Sequence, residues 1–124
     1  MKNILLISML ILSGSLFSQN YIKYYPNGCV KETGTFIDST YRGDVTRYYQ
    51  DGKVSFSGHY NQSGKEEGVI QYFYPNGQKQ FEYIAIDGNP VGDGYTYFET
   101  GELKKVTYFN DVVSEKSITF TLLN

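Results

Sequence analysis

From residue 20 onward, apolar and polar side chains alternate in short runs broken by glycine. Counting from the glycine of each turn, even positions give Val30, Glu32, Gly34 and Phe36, then Val54, Phe56, Gly58 and Tyr60. A third copy gives Lys79, Phe81, Tyr83 and Ala85, and a fourth Leu103, Lys105, Thr107 and Phe109. Odd positions are mostly polar, as in Lys31, Thr33 and Thr35 or Lys53, Ser55, Ser57 and His59. Side chains of a strand point to opposite faces in turn, so this pattern predicts strands with one apolar and one polar face. No segment after the first 18 residues carries a helical period.

The turns are spelled out between these runs. Glycines 28, 52, 77 and 101 are spaced 24, 25 and 24 residues apart, and Gly43, Gly68 and Gly92 stand nine residues ahead of the last three. An aromatic pair precedes each turn: Tyr24-Tyr25, Tyr48-Tyr49, Phe73-Tyr74 and Tyr97-Phe98. Asn-Gly and Asp-Gly accept the positive φ of tight hairpins, so the phrases PNG, QDG and PNG read as hairpin turns; the fourth, ETG, is less favourable. A fixed period of this length marks a repeat array. The stretches IDSTYR, NQSGKEE and AIDGNPV read as polar loops between hairpins. Hairpin units are expected at about residues 20–37, 43–61, 68–86 and 92–110, with a closing edge strand at about 114–122. Gly34 and Gly58 fall mid-strand, where a neighbouring ring laid over the bare backbone would compensate for the missing side chain. Tyr83 and Thr107 take that place in the later copies, which must therefore pack differently. The fold class expected is all-β, an elongated row of antiparallel β-hairpins forming a single twisted meander sheet.

Composition adds three points. Residues 1–18 combine Lys2, an apolar run from Ile4 to Leu12 and small residues after it, the layout of a secretory signal peptide cut between Ser18 and Gln19. That run is short of the roughly 20 apolar residues that a membrane-spanning helix needs. The chain is therefore expected to be exported, to the periplasm, the cell envelope or the medium. Removing 18 of 124 residues leaves 106, one domain, and losing Lys2 leaves 10 basic against 13 acidic side chains. A net charge of −3 argues against nucleic acid and against electrostatic docking on anionic lipid. Cys29 stands alone, so stability must come from packing without an intramolecular disulfide.

Candidate chemistry is sparse. His59 is the one histidine, without the further ligands that zinc would want or the orienting partner that catalysis would want. The segment from Asp87 to Asp93 lacks the alternating acidic ligands of a calcium loop. No catalytic, metal or cofactor site is expected, and no enzyme activity. The outlier is aromatic content: all 13 tyrosines and seven of eight phenylalanines follow residue 18, and tryptophan is absent. A single sheet has little second layer to hide so many rings, and exposed rings mark interaction sites. Tyr48, Tyr49, Tyr72, Tyr74, Tyr97 and Phe98 are the candidates for a binding face or for the core beneath it.

The phrase of glycine, aromatic pair, turn, second glycine and aromatic-ended strand resembles the MORN repeat family, in its bacterial variant form (MORN_2-like). Gly43 to Tyr60 fits nearly throughout; Gly68 to Tyr83 departs at Tyr83, Gly92 to Phe109 departs at Thr107, and the first copy has Gln19 where its leading glycine would stand. The resemblance covers about residues 20–110. The chain is also similar to YwqK-type antitoxin family proteins, which chain the same units. The resemblance implies a row of hairpins with an aromatic face and a scaffolding role toward proteins or membranes, and it carries over no catalytic residue. The partner expected is a protein, in one version a toxin that this chain neutralises outside the cytoplasm; the alternative is an envelope role toward a glycan or lipid headgroups.

Overall fold

A computed structural model describes residues 19–109 and 116–121. The expected signal peptide, and the ends of the expected closing strand, lie outside the described residues. The strands are β1 (Gln19–Tyr24), β2 (Val30–Ile37), β3 (Thr40–Tyr48), β4 (Val54–Tyr60), β5 (Gly68–Phe73), β6 (Lys79–Ile86), β7 (Asn89–Tyr97), β8 (Leu103–Phe109) and β9 (Lys116–Thr119). Each pairs antiparallel with the next, giving one open nine-stranded sheet in sequence order. At about 4.8 Å per strand the sheet runs roughly 38 Å from β1 to β9.

Two kinds of turn join the strands. Tyr25–Cys29, Tyr49–Lys53, Tyr74–Gln78 and Phe98–Glu102 share one pattern: the glycine N–H donates to the carbonyl of the first residue, whose own N–H donates to the carbonyl of the fifth. Only the glycine takes a positive φ, +90° at Gly52 for example, while the Asn or Asp before it does not. This is a type I turn closed by a glycine bulge, the three-residue form of the hairpin turn expected at these glycines. The Asn or Asp instead caps the loop, as where the Asp51 carboxylate accepts the Lys53 N–H at 3.0 Å. The primed geometry occurs at the other ends of the strands, where Asp38-Ser39 (φ 49° and 62°) and Asp87-Gly88 (φ 50° and 83°) have both central residues left-handed. Two of the expected loops are thus two-residue turns, with Ile37 paired to Thr40 and Ile86 to Asn89. The third, Asn61–Lys65, repeats the hydrogen bonds of the glycine turns.

A second irregularity decides the faces. Opposite Tyr24, Tyr48, Phe73 and Tyr97 the pairing skips Lys31, Ser55, Gln80 and Lys104. One extra residue in a strand reverses the facing of what lies beyond it. Val54 accordingly lines a groove with Thr46, Ser57 and Gln71, on the face away from buried Val45, Phe56 and Ile70. Lys79 likewise bonds Glu82, on the opposite face from Phe81 and Tyr83. Val30, Val54, Lys79 and Leu103 therefore leave the face on which simple alternation placed them.

The packed face holds Val45, Phe56, Ile70, Tyr83 and Ala85, with Tyr41, Tyr60, Tyr72, Phe81 and Phe109 laid against them. Among the described residues no second layer covers it. Rings cover the glycines instead. A methyl group added at Gly58 would fall 2.7 Å from the Phe56 ring and 3.1 Å from Ile70; at Gly34 it would meet Tyr21 at 2.9 Å, and at Gly94 Phe109 at 2.7 Å. The expected covering of Gly34 and Gly58 is present. In the third copy Tyr83 replaces the glycine, and its hydroxyl donates to Glu66 Oε2 at 2.6 Å.

The second aromatic of each pair joins one repeat to the next. The Tyr25 hydroxyl donates to the Tyr48 carbonyl at 2.7 Å, Tyr49 to the Phe73 carbonyl at 2.6 Å, and Tyr74 to the Tyr97 carbonyl at 2.9 Å. Phe98 ends the series without a hydroxyl. Tyr49→Phe is expected to lower stability by about 1 kcal/mol, the net worth of one such bond, with an unchanged denaturant slope in urea unfolding. Gly58→Ala, by forcing the Phe56 ring aside, is expected to cost about 1–3 kcal/mol in the same measurement.

Candidate functional site

Register carries one rung of each face across all nine strands. On the packed face, the front, it reads Lys23, Glu32, Arg47, Phe56, Tyr72, Phe81, Thr96, Lys105 and Thr119. On the back it reads Ile22, Thr33, Thr46, Ser57, Gln71, Glu82, Tyr95, Val106 and Ile118. The front thus passes from charge to rings to polar groups. The back runs from Ile22 through three hydroxyls to Gln71 and Glu82, and then to Tyr95, Val106 and Ile118.

The front rings form two contacting runs. Tyr21, Phe36, Tyr41 and Tyr60 follow one another at centroid distances of 4.2, 4.6 and 5.2 Å. Phe56, Tyr72, Phe81, Tyr83 and Phe109 follow at 5.0, 6.4, 5.2 and 6.3 Å. Such contacts add about 0.5–1.5 kcal/mol each beyond burial. Phe56 and Tyr83 are buried, whereas Tyr41, Tyr60, Tyr72, Phe81 and Phe109 are only half-buried. Burial raises the pKa of Tyr60, Tyr72 and Tyr83 above the ordinary phenol value, so their hydroxyls stay neutral donors.

The charged end of the front centres on Glu32, 5% exposed. Its Oε1 accepts from the Tyr21 hydroxyl at 2.7 Å, Lys23 Nζ at 2.8 Å and the Tyr41 hydroxyl at 3.1 Å, and its Oε2 from Arg47 Nε at 2.7 Å. Arg47 also lies 4.5 Å from the Phe56 ring centroid, joining the charged end to the aromatic one. Burial alone would push the Glu32 carboxyl up; the donors Lys23, Arg47, Tyr21 and Tyr41 outweigh it and hold the pKa at about 2. With four donors converging on it, this carboxylate is a structural pin of the front face. The sequence carried a signal for it, a glutamate at an even position between Val30 and Gly34.

The six candidate residues are divided among three places. Tyr72 stands in the front band. Tyr48 and Tyr97 face the back, where Tyr97 has Lys79 Nζ 5.9 Å from its ring centroid. Tyr49 and Tyr74 sit in turns as the inter-repeat links, and Phe98 holds the same turn position under Lys104 Nζ at 5.3 Å. All six are half-buried. Tyr41, Tyr60, Phe81 and Phe109 also stand on the front but are not among the six, because none of them lies in the aromatic runs before the glycine turns, where all the candidates lie.

His59 Nδ1 lies 2.8 Å from Asp44 Oδ1, with both side chains largely exposed. Asp87 pairs with Lys65 at 3.1 Å and begins a two-residue turn. Among the described residues no group of three or more His, Cys, Asp or Glu side chains converges.

The model of the MORN repeat variant family matches residues 41–62 and 66–84, that is β3–β4 and β5–β6 with the turns between them. These two segments match MORN-variant repeats, in keeping with the resemblance read from the sequence. The same pairing skip, glycine turn and aromatic link recur outside the matched segments, in β1–β2 and β7–β8. Repeats of this class commonly serve as modules of protein or membrane interaction. No curated protein matches the chain at a significant level.

Glu32 generates a pH dependence. Its folded pKa of about 2 lies below its ordinary value of 4.5, so it stabilises the fold fully above about pH 4.5 and loses that contribution as pH falls toward 2. Wild type is expected to lose unfolding free energy over that window, and Glu32→Gln to be less stable at pH 7 but flatter below pH 4.5, as read by urea midpoints.

Proposed function

We propose that this chain is an exported, non-catalytic module that binds another protein through the aromatic band of its front face. The observation carrying this reading is the row of half-buried rings at Tyr41, Tyr60, Tyr72, Phe81 and Phe109, with no second layer over them among the described residues. A protein surface seated there would complete the burial that one sheet leaves unfinished, and tyrosine offers large contact area with few rotatable bonds. The charged end at Lys23, Glu32 and Arg47 would set orientation at the rim. The export leader read from residues 1–18 places the encounter outside the cytoplasm. In its specific form the partner is a toxin and this chain its immunity protein.

The test is affinity capture from the envelope and secreted fractions of the producing cells. Wild type would run beside Tyr60→Ala/Tyr72→Ala, shown folded by circular dichroism, and a back-face control, Thr46→Lys. A protein held by wild type and by the control but lost from the double variant is the expected outcome, and a toxin in that position would establish the immunity form. If no protein is enriched, or if all three baits retain the same set, the front-face reading fails. Sequencing the N-terminus of the exported form checks the leader, with Gln19 as the first residue expected.

A further inference from the structure

The back face carries two grooves that are copies of one another. The first, about 440 Å³, lies among Val30, Thr33 and Tyr48; the second, about 610 Å³, lies among Val54, Ser57 and Phe73. Each position in the second stands 24 or 25 residues beyond its equivalent in the first, one repeat. Both volumes are in the range of small-ligand sites. Each groove has an aromatic wall, a valine brought to this face by the pairing skip, and a hydroxyl from the back rung, to which the second adds Thr46 and Gln71, whose amide nitrogen donates to Glu82 and whose carbonyl is the group turned to a ligand. The grooves recur every two strands, about 9.6 Å.

We propose that these two grooves bind a linear, uncharged, β-1,4-linked polysaccharide laid across the strands. Four observations select that occupant. First, backbone donors and acceptors in the middle of a paired sheet are used by the ladder, so recognition falls to side chains and an extended peptide gains no strand pairing here. Second, a ring wall beside hydroxyls and an amide matches a sugar ring, which has a flat C–H face and equatorial hydroxyls. Third, among the described residues the charges lining the two grooves, Asp51 and Lys53, pair with each other at 3.6 Å, and Glu82, which Gln71 contacts, is paired with Lys79, so the surface is neutral and complements a neutral chain. Fourth, a β-1,4-linked chain is a flat ribbon that presents the same ring face at each disaccharide, a period on the scale of two strands. The series stops after two copies because Lys79 and Glu82 take the valine and hydroxyl positions in the next repeat and close on each other at 2.7 Å. This surface is on the opposite face from the aromatic band, so the proposal is independent of a protein partner.

The experiment is calorimetric titration of the exported chain with cellohexaose and chitohexaose, and with the corresponding disaccharides. Binding of at least one hexaose is expected, tighter than its disaccharide by tenfold or more because only the longer chain reaches both grooves. Phe73→Ala should weaken hexaose binding tenfold or more. Ser57→Lys, which fills the second groove without removing a ring, should do the same while leaving the unfolding midpoint near that of wild type. Absence of heat with both hexaoses overturns the proposal. So does equal affinity for hexaose and disaccharide, or hexaose binding that survives Ser57→Lys and Phe73→Ala.

Discussion

A sheet one layer thick must bury its apolar face with its own side chains, and most of this structure follows from that constraint. Domains ordinarily solve the problem by packing two layers together. Here, among the described residues, rings are laid sideways over the backbone. The device works only where the backbone is bare, which is why Gly34, Gly58 and Gly94 sit under Tyr21, Phe56 and Phe109. A ring lying flat across a glycine shields hydrogen-bonded strand and neighbouring side chains together, so Val45, Ile70 and Ala85 reach zero exposure without any second sheet. Of the covering rings Phe56 is buried, while Tyr21 and Phe109 stay half-exposed. The same arrangement that closes the core therefore leaves an aromatic surface.

The pairing skip in each repeat distributes chemistry between the faces. It falls beside the first aromatic of the pair and sends Val30, Val54, Lys79 and Leu103 away from the rings. Without it, the front would gain three more apolar side chains that no layer covers, and the back would lose its grooves. One residue of slippage thus converts a simple two-faced strand into a strand whose two ends serve different faces. The electrostatics are placed with the same economy. Glu32 is buried only where two cations and two phenol hydroxyls converge on it, as a charge in a thin sheet must be fully partnered or driven out.

The all-strand class and the single meander were legible from the glycine period and from alternation, because both are local properties of the chain. The glycine turns at 28, 52, 77 and 101 and the covered glycines at 34 and 58 were legible for the same reason. Turn type was not, since Asn-Gly fits both a two-residue turn and a type I turn with a glycine bulge, and the choice depends on how the flanking strands pair. The strand pairing also hid the skip opposite Tyr48, which no single strand displays. Tyr49 and Tyr74 looked like surface candidates because their links reach 23 or 24 residues along the chain, a distance over which residue type says nothing of contact. Rings such as Tyr60 and Phe109 lie outside the aromatic runs before the glycine turns that drew the candidates, although the alternation already placed them on the apolar face.

The tyrosine links bear on recognition as well as on stability. Each fixes one hairpin turn to the main chain of the next, at the end of the sheet where the strands would otherwise diverge, and Asn76 adds a second tie by donating to the Glu99 carbonyl at 2.8 Å. Successive hairpins are thereby held at a set spacing before any ligand arrives. A partner touching several repeats then meets surfaces already in register and loses less ordering entropy on binding than it would against free hairpins. That holds for the front band and the back grooves alike, because both are built at the repeat spacing that the links enforce. The second aromatic of each pair is in this sense a determinant of binding geometry without being a contact residue, and its hydroxyl, more than its ring, carries the role.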